Sequence, residues 1–240
     1  VTQGPALVVG GASGIGAAVA QQLRAEGVEV VVWDVRQPRD LLCDLADPEQ
    51  VREAAAAMVE RFGVPATVTV TAGIGHAGSL LDADVAEWDR VMAVNARGPW
   101  LVLRAMAPSM AAAGGGSTVV VSSVSARVAD RSMGLYCASK AALEMVVRVA
   151  AREWAPTIRV NAVAPGVTDT PMLGPAPRDG SWLAGVAERT ALGRLGRADD
   201  VAGTVRALHD LPWTTGQVLT CDGGLSLHSP IDPPAPPTSF

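Results

Sequence analysis

The 240-residue chain contains one tyrosine and one lysine, Tyr136 and Lys140, and they stand four residues apart. On a helix that spacing puts both side chains on one face, close enough for an ammonium to stabilise a phenolate. A free phenol titrates near pH 10 and is a poor base at neutral pH, and a neighbouring cation lowers it. Such a pair is suited to passing a proton to and from a hydroxyl or carbonyl oxygen. The alternative is a chance surface pair. That alternative weakens because Lys and Arg together number 19 and all but one are arginine. A lysine kept where arginine is the rule points to a need for a compact ammonium rather than a planar fork.

A second set of residues could hold what the phenol works with. Gly10-Gly11-Ala12-Ser13-Gly14-Ile15-Gly16 directly follows the apolar run Ala6 to Val9 and opens an Ala-rich helix, Ala17 to Ala25, that stops at Gly27. Glycines between a strand and a helix permit a tight turn and let the backbone approach a pyrophosphate, which the free N–H groups of the helix start then meet. Gly11, Ser13, Gly14, Ile15 and Gly16 are the candidate contacts, against the plainer reading of an ordinary strand-to-helix turn. Asp34 closes the next apolar run about 20 residues further on, where an adenosine ribose would lie, so it reads as the acceptor of a 2′-hydroxyl. Its other reading is a turn former. Its charge repels a 2′-phosphate and neither Ser13 nor Val35 is basic, so NAD is favoured over NADP, with Arg36 the one base that leaves room for NADP. Tyr136 would then exchange the hydroxyl proton while hydride passes between substrate carbon and nicotinamide.

These residues need a scaffold. Ala6 to Val9, Val28 to Trp33, Thr67 to Thr71, Thr118 to Val121, Ile158 to Val163 and Gln217 to Cys221 read as strands, mostly separated by Ala-rich helical stretches. The runs are apolar throughout rather than alternating, which is how strands read when helices cover both faces of their sheet. The expected fold is α/β, a single-domain Rossmann-type doubly wound parallel sheet with helices on both faces. Residues 1–228 form that domain, with a substrate lid at about 170–197. Residues 229–240 are a Pro-rich tail, expected to be extended.

Composition narrows the function. The formal net charge is −5 and the arginines are scattered, which argues against nucleic acid. No apolar run approaches a membrane span, so a soluble, cytoplasmic protein is expected. Cys43, Cys137 and Cys221 lack disulfide or C-x-x-C spacing, and His76, His209 and His228 lack ligand spacing, so no metal is expected.

With Tyr136-Cys-Ala-Ser-Lys140 in register with the glycine motif, the chain resembles the short-chain dehydrogenase/reductase family over roughly residues 5 to 225. The resemblance implies further roles. Val121-Ser122-Ser123 is similar to the strand end whose second serine holds the substrate oxygen, making Ser123 the candidate ahead of Ser122 and Ser125. Val94-Asn95-Ala-Arg-Gly98 implies that Asn95 holds a water in a relay reaching Lys140. Thr71-Ala72-Gly73, with threonine where the family usually has asparagine, implies Ala72 and Gly73 beside the adenosine half, and Asp44-Leu45 is similar to the pair that meets adenine. The stretch from Asn161 to Met172 implies Pro165, Gly166, Val167 and Thr170 around the nicotinamide, with Lys140 also holding its ribose. A homotetramer or dimer is implied as well.

The lid mixes Met172, Leu173, Trp182, Leu183 and Val186 with Gly and Pro, which suits a hydrophobic or cyclic secondary alcohol or ketone. His76 and Arg127 are candidates to reach a polar substituent, or else plain loop residues. The helix from Ser139 to Trp154 carries one apolar stripe at Leu143, Val147, Ala150 and Trp154 and a second at Ala138, Ala142, Met145 and Val149. One stripe covers the helix's own sheet; the second implies another subunit or wide burial within one. A catalytically silent NAD-sensing or scaffold protein on the same fold is the competing class.

Overall fold

The structure, a computed structural model, describes residues 4–174 and 181–227. The Pro-rich tail, His228 and residues 175–180 of the expected lid lie outside the described residues.

The chain runs β1 (Ala6–Val9), α1 (Gly14–Ala25), β2 (Val30–Asp34), β3 (Leu41–Leu42), α2 (Pro48–Phe62), β4 (Thr67–Val70), α3 (Val85–Met92), a π turn (Ala93–Arg97) and α4 (Gly98–Ala112). It continues through β5 (Gly116–Val121), a 3-10 turn (Val124–Ala126), α5 (Gly134–Trp154), β6 (Ile158–Pro165), β7 (Thr168–Asp169), α6 (Ser181–Arg189), β8 (Gly196–Arg197), α7 (Ala198–Asp210) and β9 (Val218–Cys221). Seven strands pair in parallel in the order β3-β2-β1-β4-β5-β6-β9. This is the expected doubly wound, Rossmann-type sheet, with β3 added at one edge.

Successive residues of each strand point to opposite faces, so an unbroken apolar run feeds two cores at once. Leu7 and Val9 of β1 pack with Trp33, Met58, Leu103, Met106, Leu143 and Val147 beneath α2, α4 and α5. Ala6 and Val8 pack with Val19, Leu23, Val201, Val205 and Leu208 beneath α1 and α7. The strand order reverses between β1 and β4, and in such sheets the crevice beyond the strand ends at that point receives the ligand. The glycine motif leaves the end of β1; Thr71-Ala72-Gly73 leaves the end of β4.

α5 distinguishes its two apolar stripes. Leu143, Val147 and Ala150 are buried and Trp154 packs half-buried against the same core, whereas Met145 is 56% and Val149 46% exposed. Ala138 and Ala142 are half-buried, so the second stripe is only partly covered within the described subunit.

Candidate active site

The turn from β1 into α1 is closed by close approaches that exclude any side chain. A Cβ on Gly16 would stand 2.2 Å from the Gly10 carbonyl oxygen, and one on Gly10, whose φ is +84°, 2.5 Å from Ala72 N. Thr71 Oγ1 lies 3.0 Å from the Val9 carbonyl oxygen and 3.1 Å from that of Gly10, and donates toward them, so threonine keeps this junction tied. Ser13 caps α1 without a side-chain hydrogen bond, and no acidic residue stands in the first turn. Those amides are thus free of internal competition for an anion. A nucleotide pyrophosphate fits this cradle.

Asp34, buried at the end of β2, accepts from Ala12 N at 3.0 Å through Oδ2 and from Arg36 N at 2.9 Å through Oδ1. The carboxylate thereby sits against the glycine turn, where the sequence puts a ribose. Asp44 closes its own turn by accepting from Ala46 N, while the Leu45 side chain is sealed in the core against Gly98. Only Asp44 and the local backbone of that pair remain available to a base. Gly10 and Ala12 were not singled out by sequence; their contributions are a backbone angle and a backbone N–H, which leave no compositional mark.

At the expected catalytic end, a Cβ on Gly73 would lie 3.2 Å from Asn95 Oδ1 and 3.5 Å from Lys140 Nζ, which brings the end of β4, the π turn and α5 to one point. Asn95 is fully buried. Its Oδ1 accepts from Ile74 N at 2.8 Å, and its Nδ2 donates to Ile74 O at 2.9 Å and Ser139 Oγ at 3.1 Å. Ser139 Oγ in turn donates to Tyr136 O at 2.7 Å. The extra residue of the π turn swings Asn95 into this junction, as such bulges often do at functional sites.

The three candidate serines separate cleanly. Ser122 Oγ donates to Glu144 and Ser125 Oγ to Asp130, whereas Ser123 Oγ accepts from Ser125 N at 3.1 Å and is the serine that acts on the Tyr136 phenol. The structure departs from the sequence reading in the tuning of the phenol. Burial raises the Tyr136 phenol above its ordinary range, and the neighbouring Ser123 only opposes this. Lys140 Nζ stands 5.8 Å from the ring centroid and donates to Val121 O at 2.9 Å, and burial brings its own titration down to about 8. In this geometry desolvation outweighs the ammonium's pull.

Around the expected nicotinamide end, Gly166 packs under Asp222, where a Cβ would lie 2.8 Å from the Asp222 Cβ, and Thr168 Oγ1 donates to Gly166 O. Thr170 reaches the glycine turn, its Cβ 3.5 Å from where a Cβ on Gly14 would be, and Met172 Cε comes within 3.9 Å of the same construction on Gly73. The segment after β7 thus stands near both Gly14 and Gly73. β7 and β8 pair in parallel, Thr168 with Gly196 and Asp169 with Arg197, and hold the two ends of the intervening segment side by side. Arg127 is turned away from a substrate role, being bound to Glu144, Thr220 Oγ1 and Val218 O. An open cleft of about 540 Å³ lies beside the start of α5, lined by residues including Gly78, Leu80, Asp130 and Cys137.

Residues 10–226 match the family model described as Enoyl-(Acyl carrier protein) reductase. The 2,5-dichloro-2,5-cyclohexadiene-1,4-diol dehydrogenase LinX of Sphingobium indicum is 32% identical over 92% of this chain and 96% of its own length. The chain belongs to the short-chain dehydrogenase/reductase family. A second member, the cis-4-hydroxycyclohexanecarboxylate dehydrogenase of Sinomonas cyclohexanicum, is 34% identical over 91% of this chain and 95% of its own. Among solved structures, the ligand-free aldohexose dehydrogenase of Thermoplasma acidophilum matches with a TM-score of 0.91 at 28% identity, covering 97% of this chain and 98% of that one. ElxO with NADP bound matches with a TM-score of 0.86 at 25% identity, covering 94% of this chain and all of its own. As a short-chain dehydrogenase/reductase, the protein is an oxidoreductase of CH–OH groups built for a nicotinamide cofactor. Among the described residues no helix is long and apolar enough to cross a membrane.

Proposed function

We propose that this enzyme interconverts a secondary alcohol and a ketone on a hydrophobic, cyclic substrate, using NAD(H), with Tyr136 as general acid/base. The observation that carries the proposal is the buried phenol of Tyr136 beside Ser123, with Lys140, one turn along α5, fixed on Val121 beside Gly73 and Asn95. Ser123 holds the substrate oxygen; Tyr136 gives that oxygen its proton in reduction and takes it back in oxidation. Lys140 holds the nicotinamide ribose, and Asn95 fixes the junction through which a relay reaches it. The nicotinamide, when bound, supplies or accepts the hydride.

Gly11, Ser13, Gly14, Ile15 and Gly16 would cradle the pyrophosphate, and Asp34 would hold the adenosine ribose. Asp44, Leu45, Ala72 and Gly73 would border the adenosine half, and Pro165, Gly166, Val167 and Thr170 the nicotinamide. NAD is favoured by the carboxylate of Asp34, which a 2′-phosphate would meet at close range. A ring-bearing substrate is supported by the cyclohexadienediol and hydroxycyclohexanecarboxylate in the names of the two relatives. Residues 170–197 serve as the lid over it. The body of the chain acts as one domain, in the cytoplasm, as a homo-oligomer, tetramer or else dimer, through the exposed stripe of α5.

The test is a panel of ring-substituted cyclohexanols with NAD, following absorbance of the reduced cofactor. Wild type turns over at least one, and Tyr136→Phe loses about a hundredfold or more. Because burial raises the phenol, the phenolate needed for oxidation accumulates only as pH climbs, so oxidation rises into the alkaline range while reduction persists at neutral pH. Wild-type turnover by Tyr136→Phe would remove the phenol from the chemistry. Nucleotide binding without turnover of any alcohol or ketone would favour the silent sensor.

A further inference from the structure

Glu144 stands one turn beyond Lys140, on the face of α5 that carries Tyr136, and its side chain is 4% exposed. Burying a carboxylate costs several kcal/mol unless its partners compensate, and an apolar residue packs there without that cost. Its partners are specific. Oε1 accepts from Ser122 Oγ at 3.2 Å, and Oε2 accepts from Arg127 Nε at 3.3 Å and Arg148 Nη2 at 3.0 Å. Arg127 goes on to Thr220 Oγ1 at 3.1 Å and Val218 O at 3.2 Å, tying the segment after β5 to β9.

Two consecutive residues at the end of β5 are thus latched to one face of α5, Val121 by Lys140 and Ser122 by Glu144, and the next, Ser123, lies beside the Tyr136 phenol of the same face. Apolar contacts tolerate small sliding of a helix over a strand; directional bonds at two adjacent residues do not. We propose that Glu144, acting with Ser122 and Arg127, is a positioning group that sets the end of β5 against α5 so that Ser123 and Tyr136 converge on one substrate oxygen. Glu144 touches neither the phenol nor the proposed cofactor site, and acts through Ser122. The inference rests on Tyr136 being the acid/base.

Ser122→Ala and Glu144→Ala are each expected to lower kcat about tenfold, as sub-ångström misplacement of reacting groups does, and to leave KM for NAD within about twofold. Both shift the alkaline limb of the oxidation profile. The double variant is no slower than Glu144→Ala alone, because the two residues act through one bond. Glu144→Gln, which keeps an acceptor for Ser122, recovers most of kcat. Variants that melt earlier yet keep wild-type kcat and pH profile while folded would reduce the network to a stabilising contact and overturn the proposal. Where Glu144→Ala does not fold, Ser122→Ala decides, since it leaves both ion pairs whole. Tyr136→Phe is assayed alongside: an active phenylalanine variant removes the mechanism itself, whereas an inactive one beside fully active Ser122 and Glu144 variants removes only the positioning role.

Discussion

Asp34 carries two loads at once. Its carboxylate holds the backbone of Ala12 in the glycine turn and that of Arg36 beyond β2, and each oxygen keeps a lone pair to offer a ribose. Asp34→Ala is therefore expected to do two things together. The ratio of kcat/KM for NAD over NADP falls about tenfold or more, and the fold loses about 2 kcal/mol as two charge-assisted bonds disappear. Steady-state kinetics with both cofactors and a denaturant titration check the two halves separately. A stability loss with an unchanged cofactor ratio would leave Asp34 as a turn former only. At this scale the sequence is legible where side-chain chemistry is rare: a single tyrosine and a single lysine at helical spacing stand out in any composition. Ala12, which contributes a backbone N–H, and Glu144, one carboxylate among 24, carry no such mark. The direction of the phenol's shift also lies beyond sequence, because it depends on how deeply Tyr136 is enclosed.

At the scale of elements, apolar and β-branched runs reveal β1, β2, β4, β5, β6 and β9 to within a few residues, since strands of a helix-covered sheet are rich in such residues. β3, β7 and β8 are two residues each, too short to leave a periodicity, and the π turn at Asn95 is a local insertion that no hydrophobic pattern encodes. α5 is the element where the pattern says most. Its inner stripe meets the sheet and its outer stripe, with Met145 and Val149 more than a third exposed, joins neither core of the described chain. Met145→Glu is expected to shift the protein to smaller assemblies, because a carboxylate at the centre of an apolar contact is left unpaired. Sedimentation velocity on wild type and variant reads this directly. A wild-type monomer, or a Met145→Glu variant with an unchanged sedimentation coefficient, would take the outer stripe out of assembly.

Across the whole molecule, two neighbouring strands of the sheet are stapled by a group far from the chemistry. His209, near the end of α7, is buried between Thr69 of β4 at 2.9 Å and Ser117 of β5 at 3.0 Å, and burial together with Arg159 and Arg206 brings its titration down to about 3. The unfolded chain binds a proton there near pH 6.5 and the folded one does not. Stability from this group is therefore complete above about pH 6.5 and is lost as pH falls toward 3, by up to about 1.4 kcal/mol per pH unit. Denaturant midpoints measured between pH 7 and 5 are expected to show a loss of about 2 kcal/mol in wild type and a flatter slope in His209→Gln. Equal slopes in both would mean that the histidine titrates normally in the fold.

The pairing of β7 with β8 has a consequence on a longer timescale. The chain leaves the nucleotide half at Asp169 and returns beside it at Gly196, so the ends of the intervening segment are held together whatever lies between. Each doubling of such a closed segment's length costs only about 0.6 kcal/mol of closure entropy. Insertions, deletions and wholesale replacement there are therefore cheap, while the glycine turn and the end of β5 tolerate almost no change. Divergence in what this scaffold oxidises can proceed by exchanging one clasped segment, with the hydride chemistry inherited intact.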